Sequence, residues 1–117
     1  KSKAKKIYIC NAMQQPGETD GYTVSDHIKA INDNIGEGII DSVIVDPRDI
    51  PKDILERYKS MNSDKVELDR EKLKEYNVEL IERDILEIDP KGMVRHHPYK
   101  LSAIIYSLID NWREFYV

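Results

Sequence analysis

The chain has 117 residues, of which 40% are hydrophobic and 34% are charged, and its formal net charge is −4. A chain of this length holds one core of modest size, so we expect residues 1–117 to form a single domain fragment. The acidic balance gives no general attraction to nucleic acid or to an anionic membrane, and we expect neither as a partner.

Cysteine content and hydropathy indicate the cellular compartment and the relation to membranes. Cys10 is the single cysteine and lies in an apolar run, which fits a core residue in a reducing, cytoplasmic setting. No apolar stretch has the length that crosses a bilayer, so membrane insertion is not expected. The chain begins with Lys1 and enters a strand almost at once, and we therefore expect a fragment of a longer protein.

The first predicted elements are a strand over residues 7–10 and a helix that begins after Thr23. Thr23 and Asp26 form a variant of the capping box, with Asp in place of Glu or Gln. Gly36 is expected to end the helix. The apolar positions at helical spacing are Val24, Ile28, Ile31 and Ile35.

The polar connection over residues 11–22 is the first candidate site. Pro16-Gly17 and Gly21 supply turns, because glycine adopts positive φ without steric cost. Loops at the carboxyl ends of parallel strands are where open α/β sheets bind ligands, so we expect a binding lip here, with a purely architectural loop as the open alternative. Turns and caps do not explain Asn11, Gln14, Gln15, Glu18 and Asp20. The predicted ligand contacts are Asn11, Glu18, Thr19 and Asp20.

The middle of the chain predicts a βαβ unit followed by charged surface. Residues 39–45 have little polar alternation, which is typical of a strand covered on both faces. A helix is predicted over residues 51–61, with Pro51 in its first turn. Residues 62–77 are heavily charged and read as a solvated face, with a short surface helix over residues 69–76.

The last third predicts a strand over residues 78–88, interrupted near Arg83-Asp84, a turn over residues 89–92 and a long final helix. We expect the apolar stripe of that helix to cover the sheet as core packing. Its members are Leu101, Ile104, Ile105, Leu108, Ile109, Trp112 and Phe115. Pro98 fits its first turn.

A second candidate site is the basic segment at the start of the final helix, residues 93–100. A helix N-terminus offers free N–H donors and a partial positive charge, so Arg95 and His96 beside it predict an anion or phosphate site. A plain surface turn is the open alternative. The histidines are His27, His96 and His97; adjacent histidines are not a usual chelating pair, and Cys10 lies in a predicted strand, so no metal site is expected.

Residues 13–27, Met-Gln-Gln-Pro-Gly-Glu-Thr-Asp-Gly-Tyr-Thr-Val-Ser-Asp-His, resemble the signature of the gluconeogenesis factor family, bacterial relatives of 2-phospho-L-lactate transferase. Arg95-His96 with Lys100-Leu101 resembles that family's Arg-His-Asp motif. The resemblance runs over essentially the whole chain but corresponds only to the carboxyl-terminal part of a member. It implies an α/β, Rossmann-like, three-layer fold with a mostly parallel sheet, whose Gly-Gly-Thr-Gly loop lies upstream.

The resemblance also implies a function. Members of this branch are expected to bind UDP-sugars such as UDP-N-acetylglucosamine and to support cell shape and wall synthesis on gluconeogenic carbon sources, without firm indication of turnover. Arg95 matches the arginine expected on the nucleotide sugar, and residues 11–22 match the lip of the same cleft. His97 stands where Asp is common. Pro98 stands where some members carry a phosphorylated threonine, which rules out phosphorylation at that position.

Three functions are therefore carried forward. The leading one is a nucleotide-sugar-binding regulatory protein that needs no cofactor within this chain. The second is a transferase that moves a phospholactyl group to a deazaflavin with Mg²⁺, using Glu18 or Asp20 as metal ligand or base. The third is a protein-interaction module that uses residues 64–76. An exposed edge strand at residues 7–10 invites pairing with another chain, and a homo-oligomer is therefore carried forward as a partner hypothesis.

Overall fold

The computed structural model describes residues 5–116, with side chains described for residues 5–109. Its contacts divide the chain into two compact units, Lys1–Arg83 and Asp84–Val117, and each is described by itself. Within the described residues, no helix has the length and apolar character that crossing a membrane requires.

The first unit is built on a parallel three-stranded sheet. The strands are β1 (Ile7–Ile9), β2 (Ser42–Val45) and β3 (Glu79–Glu82), in the spatial order β1-β2-β3. Ile7 pairs with Ser42, and Ser42 pairs with Glu79. All four residues of β2 are buried, as its continuous apolar run predicts for a strand covered on both faces. The strand is shorter than predicted, because Ile39 and Ile40 lie before it.

Helix α1 (Val24–Ile35) follows β1 and confirms the predicted cap. The Thr23 side chain accepts a hydrogen bond from the N–H of Asp26, and the Asp26 carboxylate accepts one from the N–H of Thr23, so both halves of the capping box are present. Ile28 is fully buried. Ile35 is 57% exposed, so the predicted apolar face ends a turn earlier than its spacing indicated.

The remaining helices of this unit lie between β2 and β3. They are α2 (Lys52–Ser60), α3 (Arg70–Leu73) and a 3₁₀ turn at Lys74–Tyr76. Helix α2 confirms the predicted helix, although Pro51 is its N-cap residue and not part of its first turn.

The charged segment over residues 62–77 corrects the expectation of a purely solvated face. Val66 and Leu73 are 4% and 2% exposed and belong to the main core. Charged and polar residues surround both of these apolar residues in the sequence, so the composition of the segment indicated a solvated face. The core that Val66 and Leu73 join also contains Cys10, Val24, Ile28, Val43 and Val45.

The second unit is a hairpin followed by a long helix. Strands β4 (Leu86–Ile88) and β5 (Val94–His96) pair antiparallel, and α4 spans Pro98–Tyr116. The predicted interruption near Arg83-Asp84 is confirmed as the break between β3 and β4. The predicted turn is confirmed too, since the Asp89 carboxylate accepts hydrogen bonds from the N–H groups of Lys91 and Met93.

The apolar stripe of α4 is less buried than predicted. Leu101, Ile104, Ile105 and Leu108 are half-buried, and Ile109 is exposed. Trp112 and Phe115 lie outside the residues whose side chains are described. The predicted α/β class with a mostly parallel sheet is confirmed, whereas complete core packing of this helix is not found among residues 98–109.

Candidate functional site

The candidate site lies at the carboxyl edge of the parallel sheet in the first unit. Hydrogen bonds extend both strand pairs at this edge, from Cys10 N–H to Ile44 O at 3.1 Å and from Arg83 N–H to Val45 O at 3.0 Å. The residues that follow the three strands are therefore neighbours in the order Asn11, Asp46, Arg83. Open α/β sheets bind ligands at this edge, because the connecting loops there leave side chains and main-chain groups accessible.

The loop over residues 11–22 holds itself in place through several of its own polar groups. Thr19 Oγ1 accepts from Gln15 N–H at 2.8 Å, and Asp20 Oδ2 accepts from Gly17 N–H at 2.7 Å. Gln14 Oε1 accepts from Gly21 N–H at 3.0 Å. Gly17 and Gly21 have positive φ, as the predicted turns require.

These bonds change what the predicted lip residues do. Thr19, Asp20 and Gln14 have architectural roles that turn and cap chemistry had not predicted, because the bonds join residues three to seven positions apart. Asn11 and Glu18 have exposed side chains. The structure places all four predicted contacts on one loop, and their roles as ligand contacts stay predictions.

A second segment braces this loop from outside. Gln14 N–H donates to Asp64 O and Val66 N–H donates to Ala12 O, both at 2.8 Å. Ser63 Oγ adds a bond to Gln14 O at 2.6 Å. These hydrogen bonds hold the base of the loop against residues 63–66, so the loop presents its exposed polar groups to a ligand in a fixed position.

The N-terminus of α1 is already occupied by a carboxylate of the protein. Asp69 accepts from the N–H of Ser25 at 3.0 Å and from its hydroxyl, and Ser25 is 1% exposed. Partial burial raises the pKa of Asp69, but the hydrogen bonds from Ser25 and Thr23 outweigh burial and hold that pKa below its usual value. The helix start that follows β1 in such sheets is a common phosphate position, and here Asp69 fills it.

His27 lies beneath the loop in a nearly closed aromatic environment. Its ring is 6% exposed, its Nδ1 lies 3.3 Å from the Tyr8 hydroxyl, and Tyr22 packs edge-on against it. Nε2 is buried and has no hydrogen-bond partner among the described residues. Burial lowers the pKa of His27, although Asp26 acts in the opposite direction, so the ring stays neutral near neutral pH.

Cys10 is confirmed as a core residue. It is 4% exposed, and burial, with a smaller contribution from Asp69, raises the pKa of its thiol to about 12. A nucleophilic cysteine needs an accessible thiolate, so this thiol is unreactive.

The sequence interpretation missed Asp46 and Arg48. The Asp46 side chain is only 1% exposed and receives hydrogen bonds from Arg48 Nε and Nη2, the shorter at 2.7 Å. Its position directly after the buried strand was a usable signal. Lys65 carried no such signal, because its ammonium reaches Arg48 O at 2.6 Å only through the pairing of residues 64–66 with the loop.

The second predicted site differs from expectation in its local structure. Arg95 and His96 belong to β5 and precede the helix, and Arg95 Nε lies 3.6 Å from a carboxylate oxygen of Glu87 on β4. The Arg95 side chain is 59% exposed, so it remains accessible to a ligand. These two predicted contacts lie in the second unit, apart in the chain from the four on the loop.

The start of α4 offers fewer donors than predicted. Pro98 has no N–H, and the N–H of Lys100 donates to Nδ1 of His97 at 3.3 Å. The His97 imidazole acts as a cap in place of an external anion. The anion or phosphate site predicted at this helix start therefore has fewer N–H donors than expected.

Metal ligands do not converge in the part of the chain that the structure describes, since no three His, Cys, Asp or Glu side chains are grouped as a metal ion requires.

The fold and this edge define a class: a parallel α/β sheet with a structured ligand loop after its first strand. Family comparison makes the class specific. Residues 1–86 match the family model described as 2-phospho-L-lactate transferase CofD, and the chain belongs to this family.

Relatives with curated names support the same family and the predicted branch. The chain is 40% identical over 109 residues to the gluconeogenesis factor of Bacillus subtilis and 44% identical over 116 residues to a putative gluconeogenesis factor of Thermotoga maritima. These matches cover 93% and 96% of this chain but 34% and 36% of the relatives, so the chain spans about a third of their length.

A solved structure shares the fold. A crystal structure of a Bacillus halodurans protein superposes with a TM-score of 0.85 at 39% identity, covering 90% of this chain and 33% of that one. A second crystal structure from that organism is described as a member of the UPF0052 family and gives a TM-score of 0.84.

Proposed function

We propose that this chain is part of a regulatory protein that binds a nucleotide sugar of the UDP-N-acetylglucosamine type. In this function the protein is a gluconeogenesis factor of the cytoplasm that supports cell shape and wall synthesis during growth on gluconeogenic carbon sources. The observation that carries the proposal is the fixed polar loop at the carboxyl edge of a parallel sheet in a chain 40% identical to a gluconeogenesis factor.

The chemistry of the accessible residues fits such a ligand. Asn11 and Glu18 are exposed on the loop, and amide and carboxylate groups bind the hydroxyls of ribose and sugar rings. Arg95 presents a guanidinium, which grips a phosphate through two parallel hydrogen bonds. The Glu87 carboxylate lies near Nε of Arg95, and the Arg95 side chain remains 59% exposed, so its guanidinium is accessible to a phosphate.

The test is isothermal titration calorimetry on the full-length protein with UDP-N-acetylglucosamine. Arg95→Ala should weaken binding by about 1.5 to 3 kcal/mol, the range for a hydrogen bond to a charged group. Lys91→Ala, which removes a nearby exposed cation from the hairpin turn, is the matched control and should leave affinity unchanged. Equal affinity of the Arg95 variant and wild type would remove Arg95 from the site.

The family description favours one alternative, a transferase of the 2-phospho-L-lactate type. Under it, Mg²⁺ would supply charge neutralisation of the transferred phosphoryl group, with exposed Glu18 as the carboxylate on the loop. Asp20 is less suited, because it already accepts from Gly17 N–H. Product formed from a deazaflavin acceptor and activated phospholactate, and lost in Glu18→Gln, would replace the regulatory proposal with this one.

The interaction-module alternative is weakened by the role of residues 64–76 in the fold. Val66 and Leu73 are core residues, and Asp69 holds the start of α1. A segment that supplies this much internal packing has fewer side chains left for a partner.

A further inference from the structure

Three cationic residues lie at the carboxyl edge of the sheet in the first unit. Arg83 directly follows β3, and Arg48 follows β2 by three residues. The Lys65 ammonium donates to Arg48 O at 2.6 Å, which places it beside the same strand end. We call Arg48, Lys65 and Arg83 the cationic edge. All three lie at one edge of the sheet, although the chain carries four more acidic than basic residues.

The contacts of these side chains orient their charge without cancelling all of it. Asp46 neutralises Arg48 and fixes its guanidinium, whose side chain remains 52% exposed. Lys65 donates to a carbonyl oxygen, and Arg83 Nη1 donates to Glu82 O at 2.8 Å. Bonds to carbonyl oxygens hold a cation in position and leave its charge available to an anion.

The other anion position at this edge is closed by the fold itself. A phosphate at the start of α1 would meet the Asp69 carboxylate, which already accepts from Ser25 N–H. Like charges at that distance repel strongly in a partly buried site. An anionic ligand at this edge therefore has to find its counter-charge elsewhere, and the cationic edge supplies it.

We propose that the cationic edge binds the pyrophosphate of the ligand. This inference rests on the proposed function and deepens it, since it assigns phosphate binding in the first unit to Lys65 and Arg83, with Arg48 positioning Lys65 through its carbonyl oxygen. Two linked phosphates carry enough negative charge to engage both Lys65 and Arg83, and the guanidinium of Arg83 can bind one of them bidentately.

The experiment titrates the full-length protein with UDP-N-acetylglucosamine and, separately, with inorganic pyrophosphate. Lys65→Gln and Arg83→Gln should each raise Kd for both probes about tenfold, which corresponds to about 1.4 kcal/mol. Lys65→Arg keeps the charge and should recover most of the affinity. Lys74→Gln is the control, because Lys74 lies on the segment that leads to the opposite end of β3. Thermal melts of all variants should match wild type, since the changed side chains bond only through exposed ends.

The outcomes separate this inference from the function on which it rests. UDP-N-acetylglucosamine binding that Lys65→Gln and Arg83→Gln leave within twofold of wild type overturns the cationic edge and leaves the proposed function standing. Pyrophosphate binding that these variants weaken, without any binding of the nucleotide sugar, supports the cationic edge and overturns the proposed function. Binding of neither probe overturns both.

Discussion

Replacing Asp69 with alanine removes both acceptors that hold the start of α1. The N–H and the hydroxyl of Ser25 lose their partner, and Ser25 is 1% exposed, so water does not readily replace it. Each hydrogen bond to a charged group contributes about 1.5 to 3 kcal/mol when shielded. Because Asp69 is itself only partly buried, the low end applies, and we expect a total loss of about 2 to 3 kcal/mol.

Hydrogen exchange of the α1 amides in the full-length protein measures this loss locally. Exchange at residues 25–28 should accelerate about thirty- to one-hundredfold in Asp69→Ala, since 1.4 kcal/mol is a factor of ten. Asp33→Ala is the control, because Asp33 makes only an exposed ion pair with Lys29 on the same helix. Exchange in Asp69→Ala that is no faster than in the control would refute the assignment of Asp69 as the anchor of this helix.

The same carboxylate predicts an acid-side loss of stability. The pKa of Asp69 is lower in the folded protein than in the unfolded chain, so the unfolded chain binds more protons as the pH falls. The stabilisation is present above the unfolded pKa of about 4 and is lost as the pH falls through the folded pKa. In Asp69→Asn the free energy of unfolding should fall less steeply with decreasing pH. An unchanged pH dependence would show that other carboxylates cause the acid-side loss of stability.

Three further predictions concern the loop and the residues beneath it. Gly21→Ala should cost about 1 to 2 kcal/mol from backbone strain alone in a denaturation experiment, because φ is +73° and no heavy atom lies within 4 Å of an added Cβ; an unchanged midpoint would contradict the assigned turn. Cys10 should resist alkylation by iodoacetamide at neutral pH unless the protein is unfolded, because its thiol is buried and its pKa is about 12; rapid labelling of the native protein would contradict this. Burial lowers the pKa of His27, so the free energy of unfolding should fall as the pH drops below about 6.5. His27→Phe should remove that pH dependence, because phenylalanine has no ring nitrogen to protonate and no buried Nε2 without a partner. The same pH profile in wild type and His27→Phe would show that another group causes the effect.

Local chemistry made the first βαβ unit predictable from the sequence. Thr23 and Asp26 are three residues apart, so their capping box is written in the sequence, and the unbroken apolar run of β2 indicates burial on both faces. The break between β3 and β4 is also visible locally, because Glu82-Arg83-Asp84 is a run of three charged residues between two segments that mix apolar residues with single glutamates.

Long-range pairing made the rest unpredictable. Asp69 lies 44 residues from Ser25, and Lys65 lies 17 residues from Arg48, so neither bond leaves a local pattern. The same holds for Val66 and Leu73, which are core residues inside a charged segment. At the candidate site, the position of the loop was predictable from its turn residues. The hydrogen bonds that Gln14, Thr19 and Asp20 make within the loop were not predicted.

Binding of UDP-N-acetylglucosamine to the full-length wild-type protein tests the central claim most directly. Calorimetry should give saturable binding with one ligand per chain, and UDP should compete for the same site because it carries the pyrophosphate. N-acetylglucosamine alone should bind far more weakly, because it lacks the pyrophosphate that the cationic edge recognises. Absence of a binding isotherm for UDP-N-acetylglucosamine at millimolar concentration would contradict the account.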